Sequence, residues 1–374
     1  YSSAASDVYK RQGGNDVRKY RIFLVVLLLI VLGILGYHNR EFLFAKGGDT
    51  DVETQADSLP VVSSEGETEC MVCPSGEPVG IYVKTKGVMV IGVNSVVDEQ
   101  GITCNPCENL LSPGDYVMRI NGQSVDDKKS MLELVQQSGG HELLLRVCRE
   151  NEYRTVRVTP VKKKDGSYAL GLWVKDDISG IGTITYTDGE RFAALGHSIN
   201  DNDTGIMFRV SDGAVYETTI VRIKKPEADK PGRLEGIINY TGRYVIGRVE
   251  ENSAFGIHGY LTKRQQKTHT QDIQVAVGRK SEVHVGTAYL LSSVSGESKQ
   301  YEIEIVSVDS DNENGRCMEF KVTDSTLLSL TGGIVQGMSG TPILQDGRLI
   351  GAVTHVFVND STRGYGIFIE EMMQ

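Results

Sequence analysis

A serine flanked by glycines near the C-terminus has the local sequence of an acyl-transfer nucleophile. Ser339 lies within Gly337–Pro342 (GMSGTP), just before a predicted strand. Glycines let the backbone turn tightly enough for two amides to face one point beside the serine Oγ, where a tetrahedral oxyanion forms. We therefore predict Ser339 as the nucleophile and the amides of Gly337 and Ser339 as the oxyanion hole. The alternative is a glycine-rich turn with an incidental serine.

A serine hydroxyl needs a base, and a histidine follows the apolar run RFAAL. His197, in the segment Gly196–Ser198, can accept the hydroxyl proton and return it to a leaving amine near neutral pH. His355, in the apolar run THVF, is the competing histidine, and we interpret it as a core residue.

A third residue, a carboxylate, is expected to orient the imidazole and to stabilise its charged form. The pattern alone does not choose among Asp324, Asp201, Asp203 and Asp212. Asp324 also precedes the run STLLSL, where it is suited to be the N-cap of a short helix.

The region that carries these residues is predicted to be mostly β. From Gly180 onward, short alternating apolar runs are separated by turn dipeptides such as Asp188-Gly189 and Asp346-Gly347. The chain also has 42 glycines in 374 residues, which favours many tight turns. We expect an antiparallel barrel or sandwich over residues 161–374.

An earlier segment resembles the PDZ family. Leu111–Val125 (LSPGDYVMRINGQSV) predicts a turn, a short strand and a tight Asn-Gly hairpin, and an amphipathic helix follows at Lys128–Gln137. The resemblance covers residues 79–160 and implies an α+β domain that binds an extended peptide as an added strand. Val79-Gly80-Ile81 has the apolar-Gly-apolar form of the carboxylate-binding loop, although Gly80 alternatively only turns the chain into a strand.

The N-terminal residues predict a membrane anchor followed by a linker. Residues 22–37 are apolar and follow Arg18, Lys19 and Arg21, so residues 1–21 are expected in the cytoplasm and the rest of the chain outside it. A cleaved signal peptide is the alternative. Residues 47–78 contain eight acidic residues and no Lys or Arg, which predicts a solvated, flexible linker.

Charge and cysteine content narrow the possible partners. The net charge is -10 and there is no block rich in Lys and Arg, so nucleic acid is not an expected partner. Two cysteine pairs have the spacing of a four-thiolate zinc site, but disulfides or free thiols are the favoured interpretation outside the cytoplasm. No metal or other cofactor is predicted. The pairs are Cys70 with Cys73 and Cys104 with Cys107.

Taken together, the apolar segment, the acidic linker, the PDZ-like region and the motifs GHSI and GGIVQGMSGTPI closely resemble the stage IV sporulation protein B (SpoIVB) serine peptidase family. The resemblance implies a barrel of chymotrypsin-like type with catalytic residues matching His197, Asp324 and Ser339 in chain order. It also implies a signalling protease, anchored in the membrane and acting in the forespore intermembrane space.

Such a protease would cleave itself and a membrane-bound sporulation regulator. These cuts would lead to activation of an intramembrane protease and of a late sigma factor. The alternatives are a PDZ-bearing scaffold with an inactive protease-like barrel and a general extracytoplasmic quality-control protease.

Overall fold

The computed structural model describes residues 69–374, apart from residues 228–229, 269–272, 313 and 358. The predicted N-terminal segment 1–21, the anchor 22–37 and residues 47–68 of the predicted linker lie outside the described residues. The prediction of a flexible linker is wrong for Met71–Pro74, which form a strand paired with residues 186–187 and 275–276. Within the described part, no helix is both long and apolar enough to cross a membrane.

Short antiparallel strands form most of the described chain, as the alternating sequence pattern predicted. The strands are, in chain order, β1 (Met71–Pro74), β2 (Pro78–Val93), β3 (Val96–Val97), β4 (Thr103–Cys104), β5 (Tyr116–Ile120), β6 (Gln123–Ser124), β7 (Leu143–Arg149), β8 (Glu152–Val158), β9 (Val161–Lys162), β10 (Tyr168–Ala169), β11 (Leu172–Thr187), β12 (Arg191–Ala194), β13 (Val210–Lys224), β14 (Arg233–Ile238), β15 (Val245–Ser253), β16 (Gly256–Leu261), β17 (Val275–Ala276), β18 (Gly286–Ser292), β19 (Lys299–Val308), β20 (Met318–Val322), β21 (Pro342–Gln345), β22 (Arg348–Phe357) and β23 (Asp360–Phe368). The helices are Lys128–Gln137, Lys263–Thr268, Ser325–Thr331 and Ile369–Met372, with 3₁₀ turns at Gly242–Tyr244 and Lys280–Glu282.

The first barrel is a closed ring of six antiparallel strands. β2 pairs with β11, β11 with β12, β12 with β16, β16 with β15, β15 with β13, and β13 returns to β2. Its interior is filled by fully buried apolar side chains such as Val83, Phe192, Phe208 and Ile257. Closure removes unpaired strand edges, so the barrel needs no cover from another element.

The second barrel closes in the order β18-β19-β20-β23-β22-β21, with β21 pairing back to β18. Leu290, Ile303, Phe320 and Ile343 are fully buried in its core. The sequence predicted one barrel or sandwich over residues 161–374, whereas the structure has two closed barrels, and the first uses a strand that lies before residue 161.

An N-terminal lobe is built on the same strands as the first barrel. The C-terminal part of β2 pairs with β5, which pairs with β7, and β7 pairs with β8. The helix Lys128–Gln137 packs Met131 and Val135 into the core of this lobe. β2 changes register against β11 near Gly87, whose φ of +80° suits glycine. The predicted PDZ-like segment 79–160 therefore shares β2 with the first barrel.

Candidate active site

The loop that carries His197 is held by its own backbone and by one distant side chain. After β12, Leu195 and Gly196 take φ values of +73° and +69°, which turns the chain sharply before His197. Asn252 Oδ1 accepts the Ile199 amide at 2.8 Å, and its Nδ2 donates to the Ile199 carbonyl at 3.0 Å and to the Phe208 carbonyl at 2.8 Å. Two of these three hydrogen bonds therefore fix the backbone two residues after His197, and the third connects the same amide side chain to Phe208.

The hydrogen bonding of His197 leaves one ring nitrogen available as a base. Nδ1 lies 2.9 Å from the Ser198 carbonyl oxygen, which can only accept a hydrogen bond. The neutral ring therefore carries its proton on Nδ1, and the lone pair is on Nε2. Burial lowers the pKa of His197 below its usual value, so the neutral, basic form predominates at neutral pH.

Ser339 lies in a turn shaped by two glycines in left-handed conformations. Gly337 and Gly340 have φ values of +101° and +93°. The Ser339 Oγ donates to the Thr354 carbonyl at 3.1 Å. Among the described residues, neither the Gly337 amide nor the Ser339 amide donates a hydrogen bond to the protein. Two free amides therefore accompany the hydroxyl, as an oxyanion hole requires.

Thr183, on β11 of the first barrel, contacts both catalytic segments. Its amide donates to the Ser339 carbonyl at 3.0 Å, and its Oγ1 donates to the Gly337 carbonyl at 2.8 Å. Its own carbonyl accepts the Leu195 amide at 3.2 Å. The loop of His197 and the turn of Ser339 are therefore fixed to one buried residue.

The two segments also meet at Thr354 and His355 on β22. A Cβ atom placed on Gly196 would lie 3.1 Å from Thr354 Cγ2, and the rings of His197 and His355 are 5.5 Å apart between centroids. The hydroxyl of Ser339 is bonded to the Thr354 carbonyl, and no hydrogen bond between Ser339 and His197 is present in the described structure. The fold thus brings base and nucleophile to the same two residues of one strand.

Asp324 has a different role in this structure from the one that the resemblance implied. Its Oδ1 accepts the amides of Thr326 and Leu327 at 2.8 Å each, so it is the N-cap of the helix Ser325–Thr331. No ion pair or hydrogen bond of the described chain connects it to His197. The Ser198 carbonyl, rather than a carboxylate, orients the imidazole in this structure.

The predicted carboxylate-binding loop is corrected by the strand pairing. Val79, Gly80 and Ile81 lie in the middle of β2, and their backbone pairs with β11 on one side and β13 on the other. A strand that is paired on both sides has no free amides to bind a carboxylate. Val79 and Ile81 are buried core residues, and Gly80 is needed because a Cβ there would lie 2.5 Å from Ile238.

A groove in the N-terminal lobe has the features that the sequence assigned to residues 79–81. It has a volume of about 390 Å³ and lies between the helix Lys128–Gln137 and residues 168–174. Leu170, Gly171 and Leu172 repeat the apolar-Gly-apolar pattern at its end. From Leu172 to Lys175, β11 pairs with β2 on one side, and its other edge pairs with no described strand.

The predicted cysteine pairs form no disulfide in this structure. Among the six cysteines, Cys70 is exposed, Cys104 is partly exposed and the other four are buried. Burial raises the pKa of Cys107 to about 12, so its thiol is unreactive at neutral pH. The described residues contain no group of three or more His, Cys, Asp or Glu side chains that could hold a metal ion.

Sequence reasoning missed Asn252 and Thr183, and it interpreted His355 as a core residue. Asn252 is 53 residues from Ile199, and Thr183 is 154 residues from Gly337, so no local motif connects them. The available signals were weak: a run of alternating threonines in Gly182–Thr187 and a histidine on an otherwise apolar strand.

Comparisons with known proteins give partial matches to one relative and to one solved structure. A stretch of 62 residues is 39% identical to a Lactococcus lactis protein named "Putative zinc metalloprotease". That stretch is 17% of this chain and 14% of the relative, so the chain spans a small part of that protein's length. Among solved structures, the PDZ domain of an SdrC-like protein from Listeria monocytogenes matches at 17% identity with a TM-score of 0.21, covering 25% of this chain and 90% of that one.

A family model described as SpoIVB peptidase S55 matches residues 166–373, which include His197, Asp324 and Ser339. The matched region is more than half of the 374 residues. The chain therefore belongs to the SpoIVB peptidase family, S55, a family of serine peptidases.

Proposed function

We propose that this protein is a serine endopeptidase in which Ser339 is the nucleophile, His197 the general base and the amides of Gly337 and Ser339 the oxyanion hole. The observation that carries the proposal is the meeting of the His197 loop and the Ser339 turn at Thr183 and Thr354, with two free amides beside the hydroxyl. Family membership supports the same reaction class.

The chemistry follows from the proton positions. The Ser339 hydroxyl leaves the Thr354 carbonyl, gives its proton to His197 Nε2 and forms a bond to the substrate carbonyl carbon. The two amides stabilise the resulting oxyanion, and loss of each such donor typically costs about 3 to 4 kcal/mol of transition-state stabilisation. His197 then protonates the leaving amine, and a water molecule releases the acyl group from Ser339 by the reverse sequence of proton transfers.

The proposed substrates are the chain itself, within residues 47–78, and a membrane-bound sporulation regulator. Cleavage of the regulator would lead to activation of an intramembrane protease and a late sigma factor, with the enzyme acting in the forespore intermembrane space. Family membership supports this role, and the acidic composition of residues 47–78 favours an extended segment that can enter an active site.

The test uses the full chain and its Ser339→Ala variant, incubated and followed by intact-mass spectrometry. The wild-type chain should be cut at one or two positions within residues 47–78, and Ser339→Ala should remain whole because it lacks the nucleophile. Ser124→Ala is the matched control, since Ser124 is exposed on β6 of the N-terminal lobe.

Equal cleavage of Ser339→Ala and wild type would disprove the assignment. A fluorophosphonate probe gives a second measurement, because it labels an activated serine without a peptide substrate. Absence of labelling at Ser339 would favour the scaffold alternative, and many cuts in an unfolded protein such as casein would favour a quality-control protease.

We also propose that the groove beside the helix Lys128–Gln137 binds the C-terminal end of an extended peptide along the free edge of β11. Trp173 is the single tryptophan of the chain, lines this groove and is 63% exposed, so it reports binding directly. Peptides with an apolar C-terminal residue should shift its fluorescence, and the same peptides with an amidated C-terminus should shift it less. An unchanged spectrum at millimolar peptide would refute the groove assignment.

A further inference from the structure

His355 has an unusual environment for a core histidine. It follows Thr354 on β22, is partly buried, and lines a cleft of about 650 Å³ at the side of the second barrel. Its Nδ1 atom is buried and has no hydrogen-bond partner among the described residues. A buried polar atom without a partner costs about 1 to 3 kcal/mol, so such atoms are rare in folded proteins unless they serve another purpose.

The ring of His355 lies beside the ring of the proposed base. The centroids of His197 and His355 are 5.5 Å apart, and the ring planes are inclined by 38°. A nitrogen-to-nitrogen hydrogen bond of about 3 Å between two imidazoles places their centroids roughly 5 Å apart. The observed separation is therefore close to that of a hydrogen-bonded pair.

The charge states of the two rings suit such a bond. Burial, together with the neighbouring His197 and Arg316, lowers the pKa of His355 to about 4. At neutral pH the ring is therefore uncharged, and a neutral imidazole has one nitrogen that accepts a hydrogen bond. No ion pair or carboxylate hydrogen bond to His197 is found in the described structure.

We propose that His355 is the positioning partner of His197, with its Nδ1 accepting a hydrogen bond from the Nδ1–H of His197 when that ring becomes protonated. This inference rests on the proposed serine peptidase function. When His197 Nε2 takes the Ser339 proton, the ring becomes an imidazolium with two N–H groups. The Ser198 carbonyl and His355 Nδ1 together then hold the Nδ1–H, while the Nε2–H faces the leaving group.

The experiment measures labelling of Ser339 in the full chain by a fluorophosphonate. In this reaction the Oγ–phosphorus bond forms, the phosphorus–fluorine bond breaks, fluoride leaves and the Oγ proton passes to His197. The maximal rate of labelling and the half-saturating probe concentration are determined separately, because a positioning residue affects the first and leaves the second unchanged.

Three substitutions at His355 separate positioning from packing. His355→Leu removes the acceptor and should lower the maximal labelling rate about 100-fold, within the range of general acid–base effects. His355→Asn keeps an acceptor near the position of Nδ1 and should stay within about tenfold of wild type, whereas His355→Gln places its acceptor near Nε2 and should resemble His355→Leu. His284→Leu is the control and should label like wild type, because His284 is exposed and pairs with Asp346.

Each outcome distinguishes a positioning role of His355 from a role in packing alone. Wild-type rates in His355→Leu, or equal losses in His355→Asn and His355→Gln, would overturn the proposal. If His355→Leu does not fold, the comparison of His355→Asn with His355→Gln still decides it. Failure of wild type to label at Ser339 would refute the peptidase function itself, a result distinct from normal labelling in all three His355 variants.

Discussion

The two barrels have the same number of strands but hold their catalytic residues differently. In the first barrel, the loop of His197 is fixed mainly from within, by Asn252 of β15. In the second barrel, the turn of Ser339 is fixed largely from outside: Thr183 and Thr185 of β11 hold its carbonyls at Gly337, Ser339 and Gly340. The His197 loop thus has its main side-chain hydrogen bonds within one barrel, whereas the Ser339 turn depends on how the two barrels dock.

The largest expected effect comes from Gly340, where the turn of Ser339 touches the first barrel. A Cβ atom there would lie 2.2 Å from the Thr183 carbonyl oxygen and 2.4 Å from the Leu195 nitrogen, and both are backbone atoms. Gly340→Ala should therefore lower the free energy of unfolding by about 3 kcal/mol or more and abolish labelling of Ser339. Denaturant unfolding and fluorophosphonate labelling measure the two effects.

Gly347→Ala is the matched control for Gly340→Ala. Gly347 also has a left-handed φ of +77°, but a Cβ atom there would meet no atom within 4 Å. Its substitution should cost only the conformational strain, about 1 kcal/mol, and leave labelling intact. Equal losses in the two variants would show that close docking at Gly340 is not what fixes the turn.

A smaller effect is expected when only a hydroxyl is removed from the contact between the barrels. Thr183→Val loses the bond from Oγ1 to the Gly337 carbonyl and leaves that carbonyl without this donor. We expect a loss of about 2 kcal/mol in the free energy of unfolding and a slower labelling of Ser339, by about tenfold. The same two measurements apply.

Thr187 provides the control on the same strand. Its Oγ1 is buried but has no hydrogen-bond partner among the described residues, so Thr187→Val removes an unpaired polar atom. The variant should be as stable as wild type, or up to about 1 kcal/mol more stable, and fully active. A loss of activity in Thr187→Val similar to that of Thr183→Val would contradict the specific role of Thr183.

The smallest effect concerns the pH dependence of stability and compares His355, in the cleft at the side of the second barrel, with a histidine on the outer surface of that barrel. The pKa of His355 is lowered from 6.5 to about 4, so below pH 6.5 the unfolded chain binds a proton that the folded chain excludes. Stability from this group is present above pH 6.5 and is lost as pH falls towards 4. The binding of one proton limits the slope to about 1.4 kcal/mol per pH unit, and solvent screening of the partly exposed ring makes the slope smaller than this limit.

His284, on the surface of the second barrel, contributes to stability with the opposite pH dependence. Its pKa is raised by the hydrogen bond to Asp346, so its contribution is full below pH 6.5 and is lost as pH rises through the folded pKa. The free energy of unfolding, measured at pH 7, 6 and 5, should fall less steeply with decreasing pH in His355→Leu than in wild type. In His284→Gln, the gain in stability that protonation of His284 provides as pH decreases should be smaller. Identical slopes in all three proteins would contradict the burial of His355.

Local sequence patterns identified the β structure and suggested two of the residues that we propose for the site. Alternating apolar residues and Asp-Gly dipeptides were sufficient to predict antiparallel β structure, because strand periodicity and turn conformation are properties of a few neighbouring residues. The same reasoning found Ser339, since its turn requires glycines on both sides. It could not find Asn252, whose hydrogen bonds reach Ile199 from a strand 53 residues away.

The apolar-Gly-apolar pattern shows where local reasoning fails. It occurs at Val79–Ile81 and again at Leu170–Leu172. The first copy lies inside a strand that is hydrogen-bonded on both sides, and the second lies at the end of an open groove. Only the pairing partners, which come from distant parts of the chain, distinguish a core strand from a binding loop.

The amino-acid sequence by itself determined the β class, the turn that presents Ser339 and the presence of a histidine able to act as its base. The tertiary structure alone decided that two barrels form, that β2 serves both the first barrel and the N-terminal lobe, and that His355 lies beside His197. The physical reason is the range of the interactions. Backbone conformation depends on adjacent residues, whereas barrel closure, docking and the surroundings of a buried ring depend on contacts between residues far apart in the chain.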